Sequence, residues 1–91
     1  MRKKPPIATG VLDYFPLALA AIAECSRIGN KQHNPDEPMY WNREKSQDHA
    51  DSLIGHFLER GNEDTDGISH TTKVAWRALA MLEIEEECKR E

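Results

Sequence analysis

Apolar residues recur at helical spacing in three stretches of this chain, and each stretch has its own start and stop signals. The first runs from about Asp13 or Pro16 to Ile28. Asp13 can cap it, Pro16 is tolerated in its first turn, and Leu17, Ala20, Ala21 and Glu24 carry it forward to a stop at Gly29-Asn30. The second runs from a Ser46 cap to Arg60, ending at Gly61, with Ala50, Leu53, Ile54, Phe57 and Leu58 as the face expected to be buried. The third is capped by Ser69 and repeats the stripe with Val74, Ala75, Ala78, Leu79 and Leu82, after which the polar tail from Glu83 to Glu91 frays or extends as solvated helix. The fold expected is all-α. It is a compact three-helix domain with a long aromatic-containing loop between helices 1 and 2 and an antiparallel hairpin of helices 2 and 3.

Between these elements the punctuation is equally uneven. Residues 1–11 read as a flexible arm, since Pro5, Pro6 and Gly10 resist regular structure, and residues 12–91 read as a single helical domain. The connection from 30 to 45 is long for so small a domain. Its His33-Asn-Pro-Asp-Glu-Pro38 segment blocks helix, and Met39-Tyr-Trp-Asn42 adds aromatic bulk that serves a site or plugs the end of the core. Asn62-Glu-Asp-Thr-Asp-Gly67 is a short acidic turn. Asp64-Thr-Asp-Gly67 resembles a calcium loop only superficially, because the remaining ligands and the closing glutamate are missing.

Bulk properties narrow the range of functions. Ninety-one residues with 38% hydrophobic and 31% charged content fit one soluble helical domain with little core to spare. A net charge of −4 argues against a general nucleic-acid binder. No stretch is long and apolar enough to span a membrane, and the basic start runs into Pro5-Pro6 rather than a secretory apolar region. Cys25 and Cys88 both fall in expected helices and read as free thiols of a reducing cytosol.

The candidate chemistry lies along the helix edges. Turning about 100° per residue, His49, His56 and Arg60 form one border of the second helix. Asp51 falls on the opposite border, and Asp48 and Glu59 point away. On the third helix His70 and Arg77 share a stripe, with Lys73 adjacent. An antiparallel hairpin brings Arg60 and His56 towards His70, and such a convergence of imidazole, ammonium and guanidinium groups suits phosphate. For a metal, His49 and His56 stand two turns apart, about 10 Å along the axis, so they cannot share one ion. His56 with His70 and an aspartate could. Asp48-x-x-Asp51 places two carboxylates one turn apart, usable for a hard cation such as magnesium. Asp64 or Asp66 is also placed to take a hydrogen bond from His70 or His33. Neither a nucleophile signature nor a glycine-rich phosphate loop is present.

Taken in order, Leu12-Asp-Tyr-Phe-Pro-Leu-Ala-Leu19, Tyr40-Trp-Asn42, Asp48-His-Ala-Asp51, His56, Glu59-Arg-Gly61, Asp64-Thr-Asp-Gly67, His70 and Val74-Ala-Trp-Arg-Ala-Leu79 carry a resemblance. From about Leu12 to Glu86 the chain resembles the small helical domain of the phage and prophage dATP/dGTP diphosphohydrolases. The resemblance implies cleavage of a deoxynucleoside triphosphate between the α and β phosphates with a divalent cation, Mg2+ or Mn2+. It also implies kinship with the all-α NTP pyrophosphatases, which work as oligomers. The chain departs from those enzymes in lacking a placeable pair of acidic boxes (ExxE, then ExxD). Asp48-x-x-Asp51 is one substitute, and Glu83-x-x-Glu86 matches formally within the polar tail.

Three readings follow. In a diphosphohydrolase, Asp48 and Asp51 hold the metal and, with His56, form the catalytic group. His49, His56, Arg60, His70, Lys73 and Arg77 bind phosphate, and Tyr40 or Trp41 stacks on the base. In a non-catalytic sponge the same cations sequester a nucleotide immune signal, such as a cyclic dinucleotide or an ADP-ribose derivative, in the cytosol of a bacterial host. In a small interaction domain the charged edges are only solvated. The alanine-rich first helix favours a homo-oligomer in the first two readings.

Overall fold

The computed structural model describes residues 3–44 and 46–90. The first two residues of the expected arm, one residue of the expected loop and the last residue of the expected tail lie outside the described residues. A short π-helical turn (Ala8–Leu12) precedes α1 (Pro16–His33), α2 (His49–Leu58) and α3 (His70–Lys89). Among the described residues there is no strand, only an isolated bridge between Glu63 and Ser69. The all-α architecture is therefore as the periodicity predicts.

Boundaries differ where a side chain has other work. Residues expected to resist regular structure wind the π-helical turn instead. Pro6 offers its carbonyl to the Gly10 N–H at 2.7 Å, and Ala8 offers its own to Asp13 at 2.9 Å. α1 begins at Pro16, whose missing N–H costs nothing in a first turn, and Phe15 rather than Asp13 stands at the cap. At its other end α1 runs a turn past Gly29-Asn30 to His33. The Asn30 side chain does not cap the helix. It accepts the Tyr40 N–H at 3.1 Å and donates to the Glu37 carbonyl at 3.2 Å, fastening the following loop to the helix. Lys31 and His33 in the last turn suit the negative end of the helix dipole.

α2 starts at His49 with Asp48 at the cap, two residues later than Ser46 would set it, and the Ser46 hydroxyl is taken by Arg77 instead. α2 ends at Leu58, two residues short of the Arg60 expected from sequence, and Gly61 follows in the turn with φ +89°, a conformation that favours glycine. Ser69 does cap α3, accepting the Thr72 N–H at 3.0 Å. The acidic tail continues α3 as helix to Lys89.

α3 is the central rod, with α1 and α2 each packed on it. Contacts between His56 and His70 at one end, and between His49 and Arg77 further along, fix α2 and α3 as the expected antiparallel hairpin. The molecule measures 47 × 28 × 27 Å with a radius of gyration of 14.5 Å, against about 12 Å for a compact chain of this length. Such elongation leaves little inside. Among the described residues, Ala80 (3% exposed) and His49 (5%) are the buried ones. The apolar stripes predicted to be covered are only partly so: Leu53, Val74 and Ala75 are half-buried, whereas Ile54, Phe57 and Leu58 on α2, and Leu79 and Leu82 on α3, are exposed. The reason is geometric. α3 has two neighbours, and neither lies over the outer face of the hairpin.

Candidate functional site

A cleft of about 650 Å³ opens between the C-terminal half of α1, the loop at 39–42 and the hairpin. Cys25, Ser26 and Gly29 line it from α1, Tyr40 and Trp41 from the loop, and Lys73, Trp76 and Arg77 from α3. Its shape begins with glycine. Gly29 sits in mid-helix with nothing within 4 Å of where a Cβ would be, so the α1 wall is set back at that point.

The aromatic wall is built from two tryptophans. Trp41 meets Trp76 edge to face at 5.7 Å between ring centroids, and the Trp76 indole N–H donates to Ser26 Oγ at 2.8 Å. Arg43 caps the outer face of Trp41 at 4.2 Å and pairs with Glu87. The loop is thereby tied to α1 through Asn30 and to the end of α3 through Arg43. Tyr40, 67% exposed, stands free at the cleft mouth.

The cationic wall comes from successive turns of α3. Lys73 Nζ reaches Asp64 Oδ2 at 2.7 Å and Asp66 Oδ2 at 2.9 Å. The Lys73 hydrogen bond, aided by the Thr65 backbone N–H, draws the Asp64 carboxyl down to about 2. Burial alone would raise the Asp66 carboxyl, but Lys73 and the Ile68 N–H bring it below the usual range. Burial opposes the Lys73 charge in turn, and the two aspartates overcome this and raise its pKa. Gln32 of α1 also donates to Asp66 at 3.4 Å. The Asp64 and Asp66 carboxylates thus take Lys73, in place of the His70 or His33 partners expected from sequence.

Arg77, one turn on, donates through one nitrogen to Ser46 Oγ (2.6 Å), His49 Nδ1 (3.0 Å) and Asp48 Oδ1 (3.3 Å). The sequence places His49 on an anion-facing edge. It is buried instead between Trp41 and Trp76, at 6.3 and 6.2 Å, and is absent from the cleft lining. Accepting from Arg77 at Nδ1 puts its proton on Nε2, which finds no acceptor among the described residues, as is true of Trp41 Nε1. Desolvation, then the Arg77 charge, lowers the His49 pKa. In this arrangement His49 contacts Arg77 from behind the cleft surface.

Arg60 also departs from its expected place. Its guanidinium lies over the Phe57 ring at 4.4 Å and donates to the Phe57 carbonyl, away from the cleft. Asp48 lines the cleft but is already engaged by Arg77 and, at 3.4 Å, by Ser52. Asp51 is exposed on α2 and outside the cleft lining. A metal held by Asp48 and Asp51 would have to compete with Arg77 for the first and would gain no third ligand from the group described below.

His56 and His70 do converge, with their Nδ1 atoms 2.8 Å apart. Desolvation is the main cause lowering the His56 pKa, reinforced by the charges of Lys73 and His70. With Asp64 they form one set of ligand-type atoms all within 4.8 Å of one another. His56 belongs to the cleft wall as well. Sequence reasoning missed the roles of Asn30, Ser26 and Gln32, which are polar residues on an α1 face that carries no motif.

Cys25 is half-buried in the cleft wall and Cys88 is exposed; both thiols are free, as expected, and burial raises that of Cys25. No described helix is long and apolar enough to cross a membrane.

No curated protein and no solved structure matches the chain. Among known families, residues 2–91 match the one described as dATP/dGTP diphosphohydrolase, N-terminal. With virtually the whole sequence matched, the chain belongs to the dATP/dGTP diphosphohydrolase N-terminal family.

Proposed function

We propose that this domain binds a purine deoxynucleoside triphosphate in the cleft and takes part in its hydrolysis to the monophosphate and pyrophosphate. One observation carries the reading: a single cleft sets an aromatic wall (Tyr40, Trp41) beside two cations on successive turns of α3 (Lys73, Arg77). A base stacks on the first while the triphosphate lies along the second. Magnesium or manganese would enter with the triphosphate, with Asp48 on the cleft wall and Asp51 one turn further along α2. In the net reaction water adds to the α phosphorus and pyrophosphate leaves. His56, held largely neutral at pH 7 by its lowered pKa, can take up a proton there.

The test is incubation of the pure chain with each dNTP and Mg2+ or Mn2+, resolving monophosphate and pyrophosphate, with Asp51→Ala as the contamination control. Release above that of the control supports hydrolysis. Binding is read separately by calorimetry, where Arg77→Met is expected to weaken dATP or dGTP about tenfold, equivalent to about 1.4 kcal/mol. Unchanged affinity in Arg77→Met would remove the phosphate from this wall.

A second reading, binding without cleavage, has its own support. Asp48, Asp64 and Asp66 are all already paired with Arg77 or Lys73. A sponge for a cyclic dinucleotide or an ADP-ribose derivative would use the same cations and leave its ligand intact. Recovery of unaltered ligand after denaturing the complex distinguishes it. Homo-oligomerisation belongs to either reading, since apolar side chains on α2 and α3 lie open.

A further inference from the structure

We infer that His56, Asp64 and His70 form a binding site for one transition-metal dication of the zinc or cobalt type, with its open side towards the cleft. The site stands on geometry and is independent of nucleotide binding in the cleft, although an ion on His56 Nδ1 would remove that residue as a proton acceptor. The two Nδ1 atoms, from the last turn of α2 and the first of α3, point at each other across 2.8 Å. Only one proton fits between them, so as a hydrogen bond the pair uses one donor and one acceptor. As ligands of a shared ion, both lone pairs are used.

A tetrahedral metal at about 2.0 Å from each nitrogen holds them about 3.3 Å apart, so the two imidazoles need separate by only about half an ångström, and the Asp64 carboxylate within 4.8 Å closes in from the side. Binding requires the imidazole carrying its proton on Nδ1 to move it to Nε2. The Asp64 carboxyl is already ionised.

The third ligand is held before any ion arrives. Asp64 sits in a turn closed by its own N–H to the Ile68 carbonyl (2.9 Å), by Gly67 N–H to its carbonyl (3.0 Å) and by His70 N–H to the Asn62 carbonyl (2.9 Å). Lys73 grips one carboxylate oxygen and is itself balanced by Asp66. These are the outer contacts that orient ligands in metal centres. With two imidazoles and one carboxylate, the donor set is that of borderline first-row ions rather than of magnesium, which prefers oxygen ligands. Because His56 also lines the cleft, a fourth ligand can be drawn from there.

Titration of the metal-free chain with Zn2+, Co2+ or Mg2+ alone, without nucleotide, is the test. One Zn2+ or Co2+ per chain is expected, with a rise in the thermal midpoint that equimolar Mg2+ does not give. His70→Ala is expected to weaken Zn2+ by about 100-fold and Asp64→Asn by about tenfold. His33→Ala, on the far wall of the cleft, should leave binding unchanged. The Co2+ spectrum should lack the thiolate charge-transfer bands that Cys25 would add.

Should a histidine variant lose its helical signal, ring-nitrogen NMR of the unmutated chain gives the answer. Zn2+ must shift Nδ1 of both His56 and His70. Absence of binding, binding indifferent to His70→Ala, or shifts at other histidines would each overturn the site. No nucleotide is present, so failure here leaves the cleft reading standing, and failure of the cleft reading leaves the site standing.

Discussion

The closed end of the α2–α3 hairpin and the outer face of the same hairpin differ sharply in how completely this chain finishes them. At the closed end, Lys73 has two carboxylates, Asp64 is gripped from its side chain and its backbone, and His56 meets His70. On the outer face Leu58 is 74% exposed, with Ile54, Phe57, Leu79 and Leu82 also open, and Leu17 at the start of α1 is 86% exposed. One region is satisfied within a single chain and the other is not. Directional polar contacts fix a site in a domain too thin to bury its own apolar stripes. The lesson is that geometry at the site does not depend here on a large core.

The largest effect should come from Trp76→Ala, which removes the edge-to-face packing with Trp41 and the bond to Ser26. A loss of about 3 kcal/mol is expected in urea unfolding, at the low end for a large aromatic because Trp76 is only partly buried. A loss below about 1 kcal/mol would mean that the aromatic wall is not what holds the loop and α1 to α3. Next in size, Leu58→Glu should weaken an oligomer by about 2 kcal/mol for each leucine side chain removed from its interface. Light scattering would show this as a fall in mass towards that of the 10.4 kDa chain. A wild-type chain already at that mass would show that the open face needs no cover.

Acid should then loosen the finished end first. The pKa values of His49 and His56 are lowered by burial, so the unfolded chain binds protons more readily below its ordinary histidine value of 6.5. Stability present above that pH falls as the pH drops through it towards the lower folded values. The Asp64 contribution is present above the unfolded value of 3.8 and persists until the pH falls to about 2. Chemical melts at graded pH check both, and stability flat between about pH 7 and about pH 5 would contradict the histidine part. The smallest effect belongs to Arg60→Ala, expected to change stability by no more than about 0.5 kcal/mol and nucleotide affinity not at all.

Much of this is legible from spacing. Helical period and the Ser69 cap are local matters that neighbours in sequence decide, and the hairpin follows from its short turn. The approach of His56 to His70 is legible for the same reason. The orientation of Arg60 is not, because a stripe drawn on a wheel cannot show that a guanidinium prefers the ring three residues back. Nor is the burial of His49, which depends on Trp41 arriving from a distant loop. Ser46 and Asn30 read as caps and prove to be tertiary partners. A helical pattern likewise states which side of a helix is apolar but not whether anything covers it.

Gly29 shows what the cleft costs its own scaffold. An alanine there would meet nothing within 4 Å and would favour α1 by about 1 kcal/mol, so helix stability alone would select the substitution. The added methyl group would project into the space facing the aromatic wall. Chains with alanine at 29 should therefore melt later and bind less, a trade between a firmer helix and a deeper recess that this sequence resolves in favour of depth.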